Sequence, residues 1–319
     1  MGIPMKIAVL DDYLNVSKPL ADWDSLGDEV VFFQEVIPVK DCAQVLADFD
    51  VIVAMRERTR FPATLIQGLP KLKLIVTTGL RNSAIDLPAC QEKNITVCGA
   101  PGDENGSVGT AELAWALALA LFKRIPQEAR NMQDGLWQTV MTPTLSGKRL
   151  GLVGVGKLGQ QVAQYGRAFG MDVIAWSPNL TDERAQAAGV RRVDKTALFE
   201  QADIVVVNLV LSERTEGVID QASIAAMKPS AYFVNTSRAG LVDMNALKKA
   251  LEAGTIAGAG LDVFDVEPLP ANDPWRQVPN TILTPHLGYV TTDNYNAYFP
   301  NVVDAIEAFK KGQPIRVIS

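Results

Sequence analysis

The sequence predicts an α/β fold made of two doubly wound units, each an open parallel sheet with helices on both faces. Three observations predict it. The chain has 319 residues, more than one core usually organises at about 150 residues per domain. From Lys6 onward, short β-branched runs alternate with amphipathic stretches, the rhythm of βαβ units, whose parallel strands must be covered on both faces. The rhythm runs twice, with a polar break between the two series.

In chain order, the first series of strand candidates is "KIAVL", "EVVFF", "DVIVAM", "LKLIVTTG" and "ITVCG". Each is four to eight residues long, rich in Val and Ile, and bounded by polar or turn residues. "GAPGDENGS" then interrupts the pattern with Gly, Pro and polar residues, as a linker does. "AELAWALALALF" follows, about a dozen apolar residues, short of the roughly 20 that span a bilayer, so it reads as a buried helix. The second series is "RLGLVGVG", "DVIAW", "DIVVVNL", "AYFVNTS", "IAGAGLDV" and "TILT". Between the last of these, "DMNALKKALEAG" carries its own boundaries, with Asp243 placed to cap its N-terminus and Gly254 to end it in the left-handed conformation.

Composition narrows the function classes. Apolar residues make up 48% and charged residues 21%, as in folded globular chains and unlike disordered ones. A net charge of -6 argues against nucleic acid as a partner, because phosphate backbones are bound by clustered Lys and Arg. Cys42, Cys90 and Cys98 form no CxxC pair and no zinc spacing, so no metal is expected and a reducing cytoplasm fits best. Gly2 heads the chain, but Lys6 stands where a myristoylation signal needs Ser or Thr, and no signal peptide follows. No membrane attachment is expected.

"LGLVGVGKLG" places Gly154, Gly156 and Gly159 in a GxGxxG at the end of an apolar strand, with the amphipathic "LGQQVAQYGRAFG" directly after. In that context the pattern points to a Rossmann-like dinucleotide site. Gly154 permits the tight turn, Gly156 lets the backbone approach a pyrophosphate, and Gly159 lets the helix pack closely on the sheet. The phosphates then meet unpaired N–H groups at the helix N-terminus, beside Lys157 and Leu158. A glycine-rich turn with no ligand is the plain alternative. The acidic residue that selects NAD is expected about 20 positions on, but the strand ends "IAWSPNL", with Ser177 in that place and no Arg directly after it. The cofactor is therefore NAD or NADP, with the preference open.

Together, "LGLVGVGKLG", "VNTSRAGLVD", "AGAGLDVFDVEP" and "LTPHLG", in this order, resemble the D-2-hydroxyacid dehydrogenase family, which includes phosphoglycerate, glyoxylate and hydroxypyruvate dehydrogenases. The resemblance covers nearly the whole chain. It implies a Rossmann cofactor domain, 101–287, inserted into a flavodoxin-like substrate domain formed by 1–100 and 288–319. It also implies roles: Arg238 in "NTSRAG" to bind the substrate carboxylate and carbonyl, His286 in "TPHLG" as the acid/base, and Glu267 in "DVFDVEP" as its acidic partner. Asp262 would bind the nicotinamide carboxamide, while Thr110, Thr236 and Asn208 would lie at the cofactor. A homodimer through the cofactor domains is implied as well.

The chemistry gives reasons for these residue types. Removing a hydride from a 2-hydroxy acid requires a base whose pKa lies near working pH, and imidazole meets that requirement. His286 is the only histidine in the chain. A carboxylate on its other ring nitrogen would fix the tautomer, and a guanidinium fork holds a carboxylate bidentately. Taken singly, each has a plain alternative: a packed histidine, a turn glutamate before Pro268, a surface arginine.

Departures from the family pattern bear on the substrate. Ala239 follows Arg238 where glycine is common, and Asn208 and Val210 stand where histidine and proline are frequent. Tyr289 replaces a small residue, so its ring would reduce the pocket. Arg81 sits in "TTGLRNSAID", where the backbone at Gly79 and Leu80 would meet the substrate carboxylate. "MRERTR" puts Arg56, Arg58 and Arg60 beyond a strand end, where anionic ligands bind in open α/β sheets. Arg81 or Arg58 is expected to charge-match a second anionic group, the alternative being a solvated loop paired with Glu57.

The expectation is a cytoplasmic NAD(P)-dependent oxidoreductase for a small anionic 2-keto or 2-hydroxy acid such as glyoxylate or hydroxypyruvate. The chain ends at "IRVIS", which disfavours a phosphoglycerate dehydrogenase with a regulatory domain. One rival is an NAD(H)-sensing corepressor or scaffold of the same fold, distinguished by extra tails and absent turnover. Oxidation of formate or phosphite is a third reading, disfavoured because formate enzymes resemble a glutamine arrangement where Glu267 stands.

Overall fold

A computed structural model describes residues 4–318; Gly2 lies outside the described residues. The chain divides into two compact units, one running up to Gly106 and resuming at Thr291, the other being Ser107–Val290.

The first unit holds β1 (Lys6–Val9), β2 (Glu29–Phe32), β3 (Val51–Ala54), β4 (Leu74–Thr78) and β5 (Thr96–Ala100). They form one sheet in the order β2-β1-β3-β4-β5, parallel throughout. This is the flavodoxin-like order. β3 and β4 are buried at every position, as unbroken apolar strands between two helical layers must be, whereas edge strand β2 begins on exposed Glu29. The helix Thr292–Lys310 packs on β4 and β5. Its buried Tyr295, Tyr298, Phe299, Val302, Val303 and Ile306 recur at helical spacing and make one apolar stripe.

The second unit holds β6 (Arg149–Val153), β7 (Asp172–Trp176), β8 (Arg191–Arg192), β9 (Ile204–Val207), β10 (Tyr232–Asn235), β11 (Gly258–Leu261) and β12 (Thr281–Leu283). Their order, β8-β7-β6-β9-β10-β11-β12, is the Rossmann order extended by one strand, and it reverses between β6 and β9. One apolar cluster fills each face of the sheet, around Leu152, Val162 and Val206 on one side and Val153, Phe199 and Phe233 on the other. The helix Ser107–Phe122 lies against β10 and β11. It comes so near that a Cβ on Gly260 would stand 2.9 Å from the Leu117 side chain.

β8 escapes a sequence reading because it consists of two exposed arginines. Its pairing partner β7 stabilises it through Arg191, whose guanidinium lies 3.1 Å from Asp172. Asp243 and Gly254 bound the helix Met244–Glu252 as expected: the Asp243 carboxylate accepts from Ala246 N at 2.9 Å, and Gly254 has φ +65°. Among the described residues, no helix is long and apolar enough to cross a membrane. No cluster of His, Cys, Asp or Glu suits a metal ion among them either.

Candidate active site

Three adjacent strands of the second unit deliver polar side chains from their carboxyl ends, where open α/β sheets bind ligands. Arg238 follows β10, Asp262 and Glu267 follow β11, and Thr284 and His286 follow β12. His286 Nδ1 lies 2.6 Å from Glu267 Oε2, and both side chains are largely buried. The other Glu267 oxygen, Oε1, accepts from Phe264 N at 2.9 Å, so the carboxylate also closes its own loop. Burial pushes the Glu267 carboxyl up, but the His286 hydrogen bond and charge, the Phe264 N–H and the Arg238 charge outweigh it and hold the group below the ordinary glutamate range. An ionised Glu267 has no proton to give, so Nδ1 carries the proton of neutral His286 and Nε2 is left as the basic nitrogen. Tyr289 packs edge-on against the imidazole with ring centroids 5.3 Å apart.

Arg238 is half-buried in an extended conformation. Its backbone is bracketed by Asn235, whose amide donates to the Arg238 carbonyl at 3.0 Å and accepts from Ser237 N at 2.9 Å. Ser237 Oγ donates to the Val207 carbonyl at 2.9 Å, tying the turn to β9. Asp262 is fully buried and accepts from Thr284 Oγ1, Leu287 N and Gly288 N. Burial pushes its carboxyl up, against the downward pull of those three donors and of His286. Thr110 Oγ1 donates to the Gly288 carbonyl at 2.6 Å, so it braces the same turn.

The glycine-rich turn fits a dinucleotide. Gly154 has φ +101°, and a Cβ there would stand 3.0 Å from the Asn208 backbone. A Cβ on Gly159 would collide with the Gly154 carbonyl oxygen, whereas one on Gly156 would meet nothing within 4 Å. The turn is therefore tight where it packs on the sheet and open where a pyrophosphate would approach. Gly156 begins the helix Lys157–Ala168 with no side-chain cap, leaving Lys157 and Leu158 in a first turn whose N–H groups suit an anion. Asn208 Oδ1 and Thr236 Oγ1 are buried without a protein partner, as expected of groups that meet a ligand. Ser177, half-buried past the end of β7, brings no negative charge.

Residues 115–288 match the profile of the family described as D-isomer specific 2-hydroxyacid dehydrogenase, NAD binding domain. The chain belongs to that family. Among the relatives, a hydroxypyruvate reductase of Thermotoga maritima is 34% identical over 83% of this chain and 86% of its own. A D-3-phosphoglycerate dehydrogenase of Methanocaldococcus jannaschii is 36% identical over 86% of this chain and 52% of its own. The chain spans about half the length of the phosphoglycerate dehydrogenases it matches first. The crystal structure of a phosphoglycerate oxidoreductase from Vibrio cholerae has a TM-score of 0.90 at 37% identity, covering 97% of this chain and 99% of that one.

Within the first unit, a second set of the residues singled out in the sequence surrounds the ends of β3 and β4. Arg56, at φ +51°, lays its guanidinium over Gly79, so that a Cβ on that glycine would collide with Arg56 Nη1. Asn82 donates to the Arg56 carbonyl at 2.6 Å and to Thr77 Oγ1 at 2.9 Å. Arg58 is built into a structural cluster, stacked 4.7 Å from the Tyr13 ring and donating to the Asp11 carbonyl at 2.8 Å. Arg56 lies 3.7 Å from Glu57, and Arg60, Leu80 and Arg81 are exposed. Of the two guanidiniums expected to charge-match a second anion, Arg58 already meets Tyr13 and the Asp11 carbonyl, whereas Arg81 is exposed. Asn235, Ser237, Thr284 and Asn82 went unassigned in the sequence. Their one signal is a polar residue at or shortly after the end of an apolar strand, too common a pattern to single them out.

Proposed function

We propose that the chain interconverts a D-2-hydroxy acid and its 2-keto acid with NAD or NADP, the substrate being a small keto acid such as glyoxylate or hydroxypyruvate. The observation that carries this reading is the 2.6 Å contact between His286 Nδ1 and Glu267 Oε2, which leaves Nε2 to exchange a proton with the substrate oxygen. In the oxidising direction His286 takes the hydroxyl proton, and Glu267 stabilises the imidazolium that forms; in reduction the imidazolium returns the proton to the carbonyl oxygen. Arg238 holds the substrate carboxylate and polarises the carbonyl with a permanently charged fork. When bound, the nicotinamide supplies or accepts the hydride at the substrate carbon. Gly154, Gly156, Lys157, Leu158 and Gly159 hold its pyrophosphate, and Ser177, Asn208, Thr236, Thr110 and Asp262 line the rest.

The glyoxylate and hydroxypyruvate reductases among the relatives support a small substrate, and so does Tyr289, whose ring occupies space beside the imidazole. Residues 101–287 form the cofactor domain in this reading and 1–100 with 288–319 the substrate domain, where Arg56, Gly79, Leu80 and Arg81 serve an anionic substrate. The working compartment is the cytoplasm, and nucleic acid is not a partner. A homodimer joins through the cofactor unit, which exposes Trp137 at 74% and Met141 at 98% of their surfaces, neighbouring apolar side chains of the kind that mark interaction sites.

The test follows nicotinamide absorbance with NADH and NADPH in parallel against glyoxylate, hydroxypyruvate, pyruvate, phenylpyruvate and oxaloacetate. Turnover on at least one acid is expected, reduced by roughly 10²- to 10⁴-fold in His286→Ala. Turnover that survives the substitution would reject the assignment of His286, and none on any acid with cofactor still bound would reject the activity.

A further inference from the structure

We infer that Asp262 is a positioning residue for His286: its carboxylate holds the turn on both sides of the histidine and so sets where the imidazole stands. The inference deepens the reading above, which gave Asp262 to the nicotinamide carboxamide. His286 has φ +53°, a left-handed conformation that is unfavourable for a non-glycine residue. Its own N–H reaches only two residues back, to the Thr284 carbonyl at 3.0 Å. The restraint therefore comes from the flanking residues, and it converges on one side chain.

Asp262 Oδ1 accepts from Thr284 Oγ1 at 2.6 Å before the histidine and from Leu287 N at 2.7 Å after it. Oδ2 accepts from Gly288 N at 2.9 Å. Its own N–H donates to the Asn235 carbonyl at 3.0 Å, which anchors the carboxylate to the end of β10. Two oxygens offer about four acceptor positions, and three are taken within the turn. Gly288 completes the fit, because a Cβ there would stand 3.1 Å from Thr110 and 3.3 Å from Asp262 Oδ2. The buried charge thus faces three convergent donors. An amide in its place would turn an NH₂ toward at least one of them.

Because His286 is the only histidine, protein labelled with ¹⁵N-histidine gives a single set of imidazole resonances, and the proton shared with Glu267 reports ring placement directly. The comparison uses Thr284→Val, Thr284→Ser and Asp262→Asn, with melting temperature measured for each and NADH affinity by fluorescence. Thr284→Val removes one donor to Asp262 at nearly constant shape, and Thr284→Ser restores it. The expected result is that the shared proton moves or broadens in Thr284→Val and Asp262→Asn, returns in Thr284→Ser, and that the NADH affinity of Thr284→Val and Thr284→Ser stays within about twofold. On any acid the wild type reduces, kcat at saturating cofactor should fall by up to roughly 10²-fold, the scale of a misplaced reacting group. An unchanged imidazole spectrum in Thr284→Val would overturn the inference even if Asp262→Asn does not fold. So would an NADH affinity weakened tenfold with the spectrum intact, which would return Asp262 to the cofactor alone. Absence of turnover by the wild type would count against the proposed activity, whereas the imidazole spectra decide the role of Asp262 either way.

Discussion

Glu267 does two jobs with two oxygens, holding its own loop through Phe264 N and the imidazole through His286 Nδ1. Its folded-state pKa is lowered, so the stability it contributes is fully present above the ordinary glutamate range and is lost as pH falls through the depressed folded value. Glu267→Gln removes that contribution. The melting temperatures of wild type and variant should therefore differ most above the ordinary glutamate range and converge as pH is lowered below it; a constant gap in a pH series of thermal melts would contradict the assignment. Arg81 is exposed and belongs to the substrate side of the proposed reaction. Arg81→Met should raise KM for oxaloacetate several-fold more than KM for pyruvate, in line with an exposed ion pair worth about 1 kcal/mol. Equal changes for both acids in steady-state kinetics would remove Arg81 from specificity.

Among the elements, those with a local signature were legible in the sequence and those stabilised from elsewhere were not. The helix Met244–Glu252 carries its stop signals in its own residues, and Asp243 caps it through Ala246 N. Asp243→Ala should cost about 1 kcal/mol, read as a lower urea midpoint with unchanged slope; no shift would mean that packing of Leu247 and Leu251 alone holds the helix. β6 and the helix after it were equally legible, since Gly154 is demanded by its own positive φ and Gly159 by the Gly154 carbonyl five residues before it. β8 was not, because two arginines say nothing of a strand until Asp172 on β7 is beside them. The arginines after β3 show the same limit. Their positions past a strand end could be read, but only the fold separates Arg58, stacked on Tyr13, from exposed Arg60.

For the whole molecule, the exposed run around Leu136, Trp137, Val140 and Met141 bears on assembly. Sedimentation should give twice the 34.5 kDa chain mass, and replacing Trp137 and Met141 by Glu should shift it to monomer, because charge in the buried centre of an interface is strongly disfavoured. A wild type that sediments as a monomer would dismiss the homodimer. The sequence by itself determined the two-unit α/β architecture, the dinucleotide turn and the family, since periodicity, obligatory glycines and ordered motifs are all written in neighbouring residues. Only the tertiary structure decided which contacts bracket His286. Asp262 meets Thr284, Leu287 and Gly288 across 22 to 26 residues of chain, and which donors converge on a buried carboxylate depends on how parallel strands bring their carboxyl ends together.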